Sequence, residues 1–393
     1  MKNAMKASVY ASCTALVFAG ALLVLILCNY AAERLWSGND VEQGFIDISD
    51  ASGVYNGKAR YLSQPNLPYN AFIFGGSKAG ALHPATLAEK TGLTFYNYWN
   101  LNGTFEDYER YLHFVTDIYS VDTIILHLSS HEVYRDKSQY MLPPEMQSNL
   151  KLRQRIFLTA KSILATIKED YVNVKHFIDL FHERKNTDRI THRDGFRHFE
   201  FQKQMQSEDP AKYLQDHVLH YWGNYDDCIA RLFSAQEPQG IISCAENLAS
   251  LRRIQSYCEE AHIRLVVIIG PTFISELYKY ASQEYIDYLK DMVSICSVWN
   301  FGGIHELNLN PYNFADGGHY FDFVGDVIIG TVFARQDANT GDMDAFGILL
   351  SPDNIDAFIA SQKEKWRALK AQYDLTGAIP LGTQEDASYL GWQ

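Results

Sequence analysis

The sequence predicts an α/β protein: a five-stranded parallel sheet with helices on both faces, a three-layer flavodoxin-like arrangement, preceded by an N-terminal transmembrane helix and carrying a helical insertion. Three observations predict it. Short, nearly continuous apolar runs that stop at glycine or proline recur along the chain, as strands covered on both faces require. Stretches of helical spacing separate them. The rhythm breaks between residues 136 and 240, where charged amphipathic segments such as Leu152–Tyr171 and polar stretches such as Asn186–Arg197 replace it.

The N-terminal element comes first. From Ala7 to Ala32 no residue is charged, and Leu16–Leu27 is apolar almost throughout. A spanning helix needs about 20 predominantly apolar residues, which this stretch supplies. Lys2 and Lys6 precede it and Glu33, Arg34 and Trp36 follow, so the positive-inside rule keeps the N-terminus cytoplasmic and sends the remainder outside. A cleaved signal peptide fits less well. It needs a shorter apolar stretch and small residues before the cut, and Asn29 or Tyr30 suits one of those positions poorly. Leu27 before Cys28 does not suit a lipoprotein cleavage site. The expectation is a single-pass cell-membrane protein with an extracytoplasmic C-terminal domain: anchor over 1–35, juxtamembrane connector over 36–70.

The first strand is Ala71–Phe74, stopped by Gly75-Gly76. A helix near Ala81–Lys90, a second strand at Leu93–Tyr98 and a helix at Phe105–Tyr119 follow. Thr123–Leu128 is the third strand. After the insertion at 136–240 the alternation resumes with a helix at Ala245–Ala261 and a strand at Arg264–Ile269, closed by Gly270-Pro271. Helix Gln283–Cys296 leads to a fifth strand at Val298–Phe301, and Phe321–Ala334 reads as a helix. The principal domain thus spans 71–335. Residues 336–393 read as a C-terminal extension, helical over 351–373 and then polar.

Composition bounds the function. The 393 residues suffice for one large domain with an insertion. A net charge of −13, with no run rich in lysine and arginine, disfavours nucleic acid as a partner. Aromatic content is 13%, and most of those rings serve to fill a core. Cys13 and Cys28 lie in the apolar segment. Cys228, Cys244, Cys258 and Cys296 fall in the part expected outside, where disulfides are permitted; they allow three pairings, among which sequence does not choose. Without a C-x-x-C pair a structural zinc site is not expected, and no motif calls for a metal or another cofactor.

In a parallel sheet of this kind, sites form beyond the carboxyl ends of the strands. Ser77, in Phe74-Gly75-Gly76-Ser77-Lys78-Ala79-Gly80, follows the first strand directly. There it sits near a helix N-terminus whose N–H groups can stabilise an oxyanion. Asp316 and His319 lie in Phe314-Ala315-Asp316-Gly317-Gly318-His319-Tyr320, after the last strand. The D-x-x-H spacing lets the carboxylate reach one imidazole nitrogen while the other accepts a serine proton, with two glycines allowing the backbone path. Of the remaining candidates, His83, His127 and His131 can line the cleft but equally suit core or surface roles. His305-Glu306 can shape the Asp316 loop, and Lys78 can contact an anionic substrate or face solvent.

A serine after strand one and D-x-x-H after the last strand reproduce the order of the SGNH (GDSL-type) hydrolases, which the chain resembles from about residue 68 to 335. The likeness is nearest to membrane-anchored members that modify cell-surface polymers, polysaccharide O-acetyltransferases and DltD-like proteins among them. The resemblance implies a catalytic triad of Ser77, Asp316 and His319. It also implies an oxyanion hole from the backbone N–H groups of Ser77 and of Gly103, the glycine after strand two. The family's asparagine after strand three is missing: the chain reads Leu128-Ser129-Ser130-His131-Glu132, with Ser130 or His131 as substitute donor. The first block reads Gly-Gly-Ser in place of Gly-Asp-Ser. The implied activity is acyl transfer to, or ester hydrolysis on, a cell-envelope glycan or lipid-linked polymer at the membrane, beside a polytopic partner that delivers acyl groups. The missing asparagine supports the rival reading, an inactive SGNH-like module that binds glycan or scaffolds an envelope assembly.

Overall fold

A computed structural model of the chain describes residues 12–25, 51–129, 193–219 apart from 198, 225–233, 244–334 and 342–388, with short stretches between 137 and 157. The chain divides into two compact units. One comprises 1–61 and 140–190, the other 62–139 and 191–393.

The N-terminal expectation is corrected within the first unit. Residues 12–25 are helical. Among the described residues no helix is long and apolar enough to cross a membrane. The transmembrane helix, and the single-pass extracytoplasmic placement drawn from it, are therefore not supported. Residues 7–11 and 26–32 of the apolar stretch lie outside the described residues, as does the connector up to 50. Residues 51–62 of that expected connector form a helix.

The second unit contains the whole sheet. Its strands are β1 (Ala71–Gly75), β2 (Phe95–Trp99), β3 (Thr123–Leu128), β4 (Arg264–Ile269), β5 (Val298–Asn300) and β6 (Ile348–Leu350). They lie in the order β2-β1-β3-β4-β5-β6. The first five pair in parallel, and β6 runs antiparallel to β5. The expected five-stranded parallel sheet is thus corrected to six strands with an antiparallel edge. A three-residue strand shows no period, and β6 joins the sheet only because β5 offers it a free edge.

Every residue of β1, β2 and β3 is buried, which is why they read as near-continuous apolar runs. The helices flanking them are α1 (Pro84–Thr91), α2 (Phe105–Ile118), α3 (Glu200–Glu208), α4 (Cys244–Glu260), α5 (Gln283–Ile295), α6 (Asp322–Ala334) and α7 (Ile355–Thr376). Helix α2 begins on a capping box. Thr104 and Asp107 exchange side-chain and backbone bonds there, satisfying two N–H groups that the helix leaves open. Tyr98 and Tyr111 stack at 4.1 Å between β2 and α2, so the aromatic surplus does fill the core.

The described part of the insertion is helical at α3, at Pro210–Tyr213, in a π turn at Leu214–Leu219 and at Tyr225–Phe233. Residues 194 and 195 bond to the outer strand β2: Asn97 N–H donates to the Asp194 carbonyl at 2.7 Å, and Trp99 Nε1 to the Gly195 carbonyl at 2.8 Å. Gly195 has φ +82, and a Cβ there would lie 2.1 Å from the Asn97 carbonyl oxygen. Only glycine fits that approach. Cys228, Cys258 and Cys296 are free thiols, and burial pushes Cys258 and Cys296 up to about 12.

Candidate active site

Strand β1 delivers Ser77 to the sheet's carboxyl edge. It ends on Gly75, whose missing side chain is required: a Cβ would lie 2.5 Å from the His127 carbonyl oxygen in neighbouring β3. Gly76 is extended, and Ser77–Ala81 then forms a 3-10 turn, closed by Ala79 N–H to the Gly76 carbonyl at 3.0 Å. Its far end is held from β2, where the buried Asn97 amide donates to the carbonyls of Ala79 and Leu82 at 2.7 and 2.9 Å.

The loop after β5 delivers the other two side chains. Asn308 Nδ2 bridges the Phe301 and Gly303 carbonyls, both at 2.7 Å, and Asn313 Nδ2 reaches the Leu307 carbonyl at 3.0 Å. Phe314 and Tyr320 form an antiparallel bridge, and Ala315 N–H donates to the His319 carbonyl at 2.8 Å. Asp316 and His319 therefore project from a tight hairpin. Two outside contacts hold it: Tyr213 OH donates to the Ala315 carbonyl at 2.6 Å, and the buried Tyr320 OH meets His127 Nε2 at 2.9 Å.

The three residues converge. His319 Nε2 lies 2.7 Å from Ser77 Oγ, and His319 Nδ1 lies 2.8 and 2.9 Å from the two Asp316 oxygens. Asp316 Oδ1 also accepts the N–H groups of Gly318 and His319, both at 2.8 Å. An ionised carboxylate only accepts, so the Nδ1 proton points to Asp316 and Nε2 is left to accept the Ser77 O–H. Burial alone would raise the Asp316 carboxyl, but the attraction and hydrogen bond of His319, the Arg197 charge and the Gly318 N–H hold it well below the usual carboxylate range. Burial lowers His319; Asp316 works against this, while Arg197 and Lys78 add to it, and the net direction is down. The imidazole is thus neutral, as a base must be.

Of the expected oxyanion donors, Gly103 lies buried in the loop after β2. A Cβ there would sit 2.3 Å from Asn100 Oδ1. Ser130, like His131, lies outside the described residues. His83 caps the start of α1, 3.3 Å from Thr86 Oγ1. His305 accepts from the Leu307 N–H at 3.1 Å and so shapes its own loop, with Glu306 beside it. His127 is a core residue, held neutral by burial and by the Lys78 charge, its pKa lowered to about 3. The glycines of the D-G-G-H loop are not demanded by the backbone: neither Gly317 nor Gly318 has positive φ. Among the described residues no group of three or more His, Cys, Asp or Glu could hold a metal ion.

Sequence reasoning missed Arg197. It sits in a polar stretch with no period, and only Gly195 in Asp194-Gly195 marks a fixed turn there. Its backbone N–H donates to the Gly80 carbonyl at 3.1 Å, and its charge acts on both Asp316 and His319. Lys78, next to Ser77, is buried rather than solvent-facing. No protein-family model matches the chain, and no curated protein matches it.

Proposed function

We propose that the protein is a serine esterase or acyl transferase of the SGNH type, with Ser77 as nucleophile, His319 as general base and Asp316 as its orienting carboxylate. The observation that carries this reading is the 2.7 Å contact between Ser77 Oγ and His319 Nε2, on a ring whose Nδ1 is engaged by Asp316. In the reaction Ser77 Oγ attacks an acyl carbonyl while its proton passes to His319 Nε2. The carbonyl electron pair moves onto oxygen, and the N–H groups of Ser77 and Gly103 are its proposed donors. Collapse of the tetrahedral intermediate expels the alcohol, which takes the proton from His319, and leaves an ester on Ser77. An acceptor hydroxyl, of water or of a sugar, then gives its proton to His319 and takes the acyl group by the same steps.

The resemblance to polymer-modifying members supports an O-acylated glycan or polymer-linked acyl group as substrate. A fluorophosphonate probe tests the chemistry directly: it should label Ser77 in the wild-type protein and fail to label Ser77→Ala and His319→Ala, both folded by circular dichroism. Absence of labelling at Ser77 would overturn the catalytic reading in favour of an SGNH-like binding module.

A further inference from the structure

Two cations flank the Ser77 turn without an ion-pair partner among the described residues. Lys78 is 5% exposed, and its ammonium, with three donors, reaches the Pro271 carbonyl at 3.4 Å. That carbonyl lies just beyond β4. Arg197 is bound through its backbone to Gly80, inside the turn itself. Its guanidinium lies 5.2 Å from the Phe199 ring centre, and its buried Nε has no hydrogen-bond acceptor. A buried N–H left unpaired is costly, so a chain that keeps one on a residue bound to the Ser77 turn has a reason outside its own packing.

Asp316 feels the Arg197 charge but accepts no hydrogen bond from it. Its oxygens are committed to His319 and to the Gly318 N–H, and neither cation lies within ion-pair distance of a carboxylate among the described residues. Two cations against one carboxylate and a neutral imidazole leave the site with a single positive charge, in a chain whose net charge is −13. Such a local reversal of sign attracts an anion that the rest of the surface repels. One excess charge suits a carboxylate better than a phosphate monoester, which carries nearly two.

We infer that Lys78 and Arg197 form a cationic subsite beside Ser77 that selects an ester bearing a carboxylate group, a uronic-acid-type or dicarboxylic acyl ester in chemical class. This rests on the acyl-transfer reading of Ser77 and adds the substrate's charge to it. Arg197 supplies the planar donor fork and Lys78 a point charge.

Binding without turnover tests it. The Ser77→Ala protein is titrated with monomethyl glutarate, which has one ester and one carboxylate, and with dimethyl glutarate, which has two esters, following chemical shifts by NMR. The monoester should bind at least about tenfold more tightly, the preference weakening with salt. Adding Arg197→Met should erase most of the preference, and Arg197→Lys should restore part of it. Lys78→Met, checked by thermal melting because the side chain is buried, should reduce it further. No monoester binding, equal affinity for the two esters, or a preference that survives both Arg197→Met and Lys78→Met would overturn the inference. Fluorophosphonate labelling of wild-type Ser77 separates the two claims. Labelling without a charge preference removes the subsite alone; a preference without labelling removes the catalysis and leaves the anion site standing.

Discussion

The turn that carries Ser77 and the loop that carries Asp316 and His319 meet across 2.7 Å, yet they are held by different kinds of bond. The turn is an outgrowth of the sheet. Gly75 lies in register with both Trp99 and His127, and the backbone leaves β1 with one residue of freedom before Ser77. The loop leaves β5 and travels some distance before Asp316, held by three asparagine side chains, a short hairpin and two tyrosine hydroxyls. A nucleophile needs a fixed point, and the sheet supplies one. A base must instead be aimed, and aiming is done by side chains, which are easier to substitute and, in one case, to titrate.

In the proposed mechanism catalysis depends on both halves, so the largest expected effect does not distinguish them. Ser77→Ala and His319→Ala should each lower kcat by about 10³–10⁴-fold or more, and the double variant should be little worse, because members of one catalytic unit do not contribute additively. Asp316→Asn should cost less than either. Activity on a chromogenic ester measures this. Additive losses would mean that the two halves do not work as one unit.

Acid should separate them. In the folded protein His127 stays neutral down to about 3, whereas the ordinary imidazole takes a proton near 6.5. Below 6.5 the unfolded chain therefore binds more protons than the folded one, and stability falls as pH drops from 6.5 toward 3, while above 6.5 this group contributes no slope. At about 1.4 kcal/mol per tenfold in proton affinity, the full loss is about 5 kcal/mol. His127 meets the Tyr320 hydroxyl, so its protonation strains the base loop through a direct hydrogen bond, and the Ser77 turn only through the Lys78 charge. Hydrogen exchange at pH 4 should accelerate at residues 315–320 before 76–81, and His127→Gln should remove much of the difference. Simultaneous opening of both segments would erase the contrast drawn here.

The same contrast explains what was legible in the sequence. Ala71–Gly75 and Thr123–Leu128 announce themselves because strands buried on both faces must be apolar and must end where the backbone turns, so Ser77 was placed by its neighbours. Asp316 and His319 were placed by spacing, since a carboxylate three residues before an imidazole can reach its ring. Side-chain scaffolding leaves no such pattern: Asn308 and Asn313 bond carbonyls five to seven residues away within an aperiodic loop, Tyr213 and Arg197 act across long stretches of chain, and no periodicity marks any of them. Lys78 was illegible for the opposite reason, because burial of a lysine is set by what packs over it. Strand β6 shows that three residues can join a sheet on the strength of a neighbour's free edge.

The smallest effects compare the two loops' own glycines. A Cβ on Gly75 would meet the His127 carbonyl oxygen at 2.5 Å and Ala79 Cβ at 2.6 Å. The first contact is backbone of a central strand, which cannot move aside, so Gly75→Ala should cost about 1–3 kcal/mol as overpacking does and misplace Ser77 with it. A Cβ on Gly318 would meet only Asp316 Oδ1, at 3.5 Å, an ordinary contact, and the residue has no positive φ. Gly318→Ala should therefore change stability by less than about 1 kcal/mol, with a small gain from the stiffer unfolded chain, and leave activity within a few-fold of wild type. Denaturant midpoints and ester turnover of the two variants read the comparison. If Gly318→Ala proves as damaging as Gly75→Ala, the base loop is as rigidly built as the nucleophile turn, and its side-chain scaffold does more than aim the imidazole.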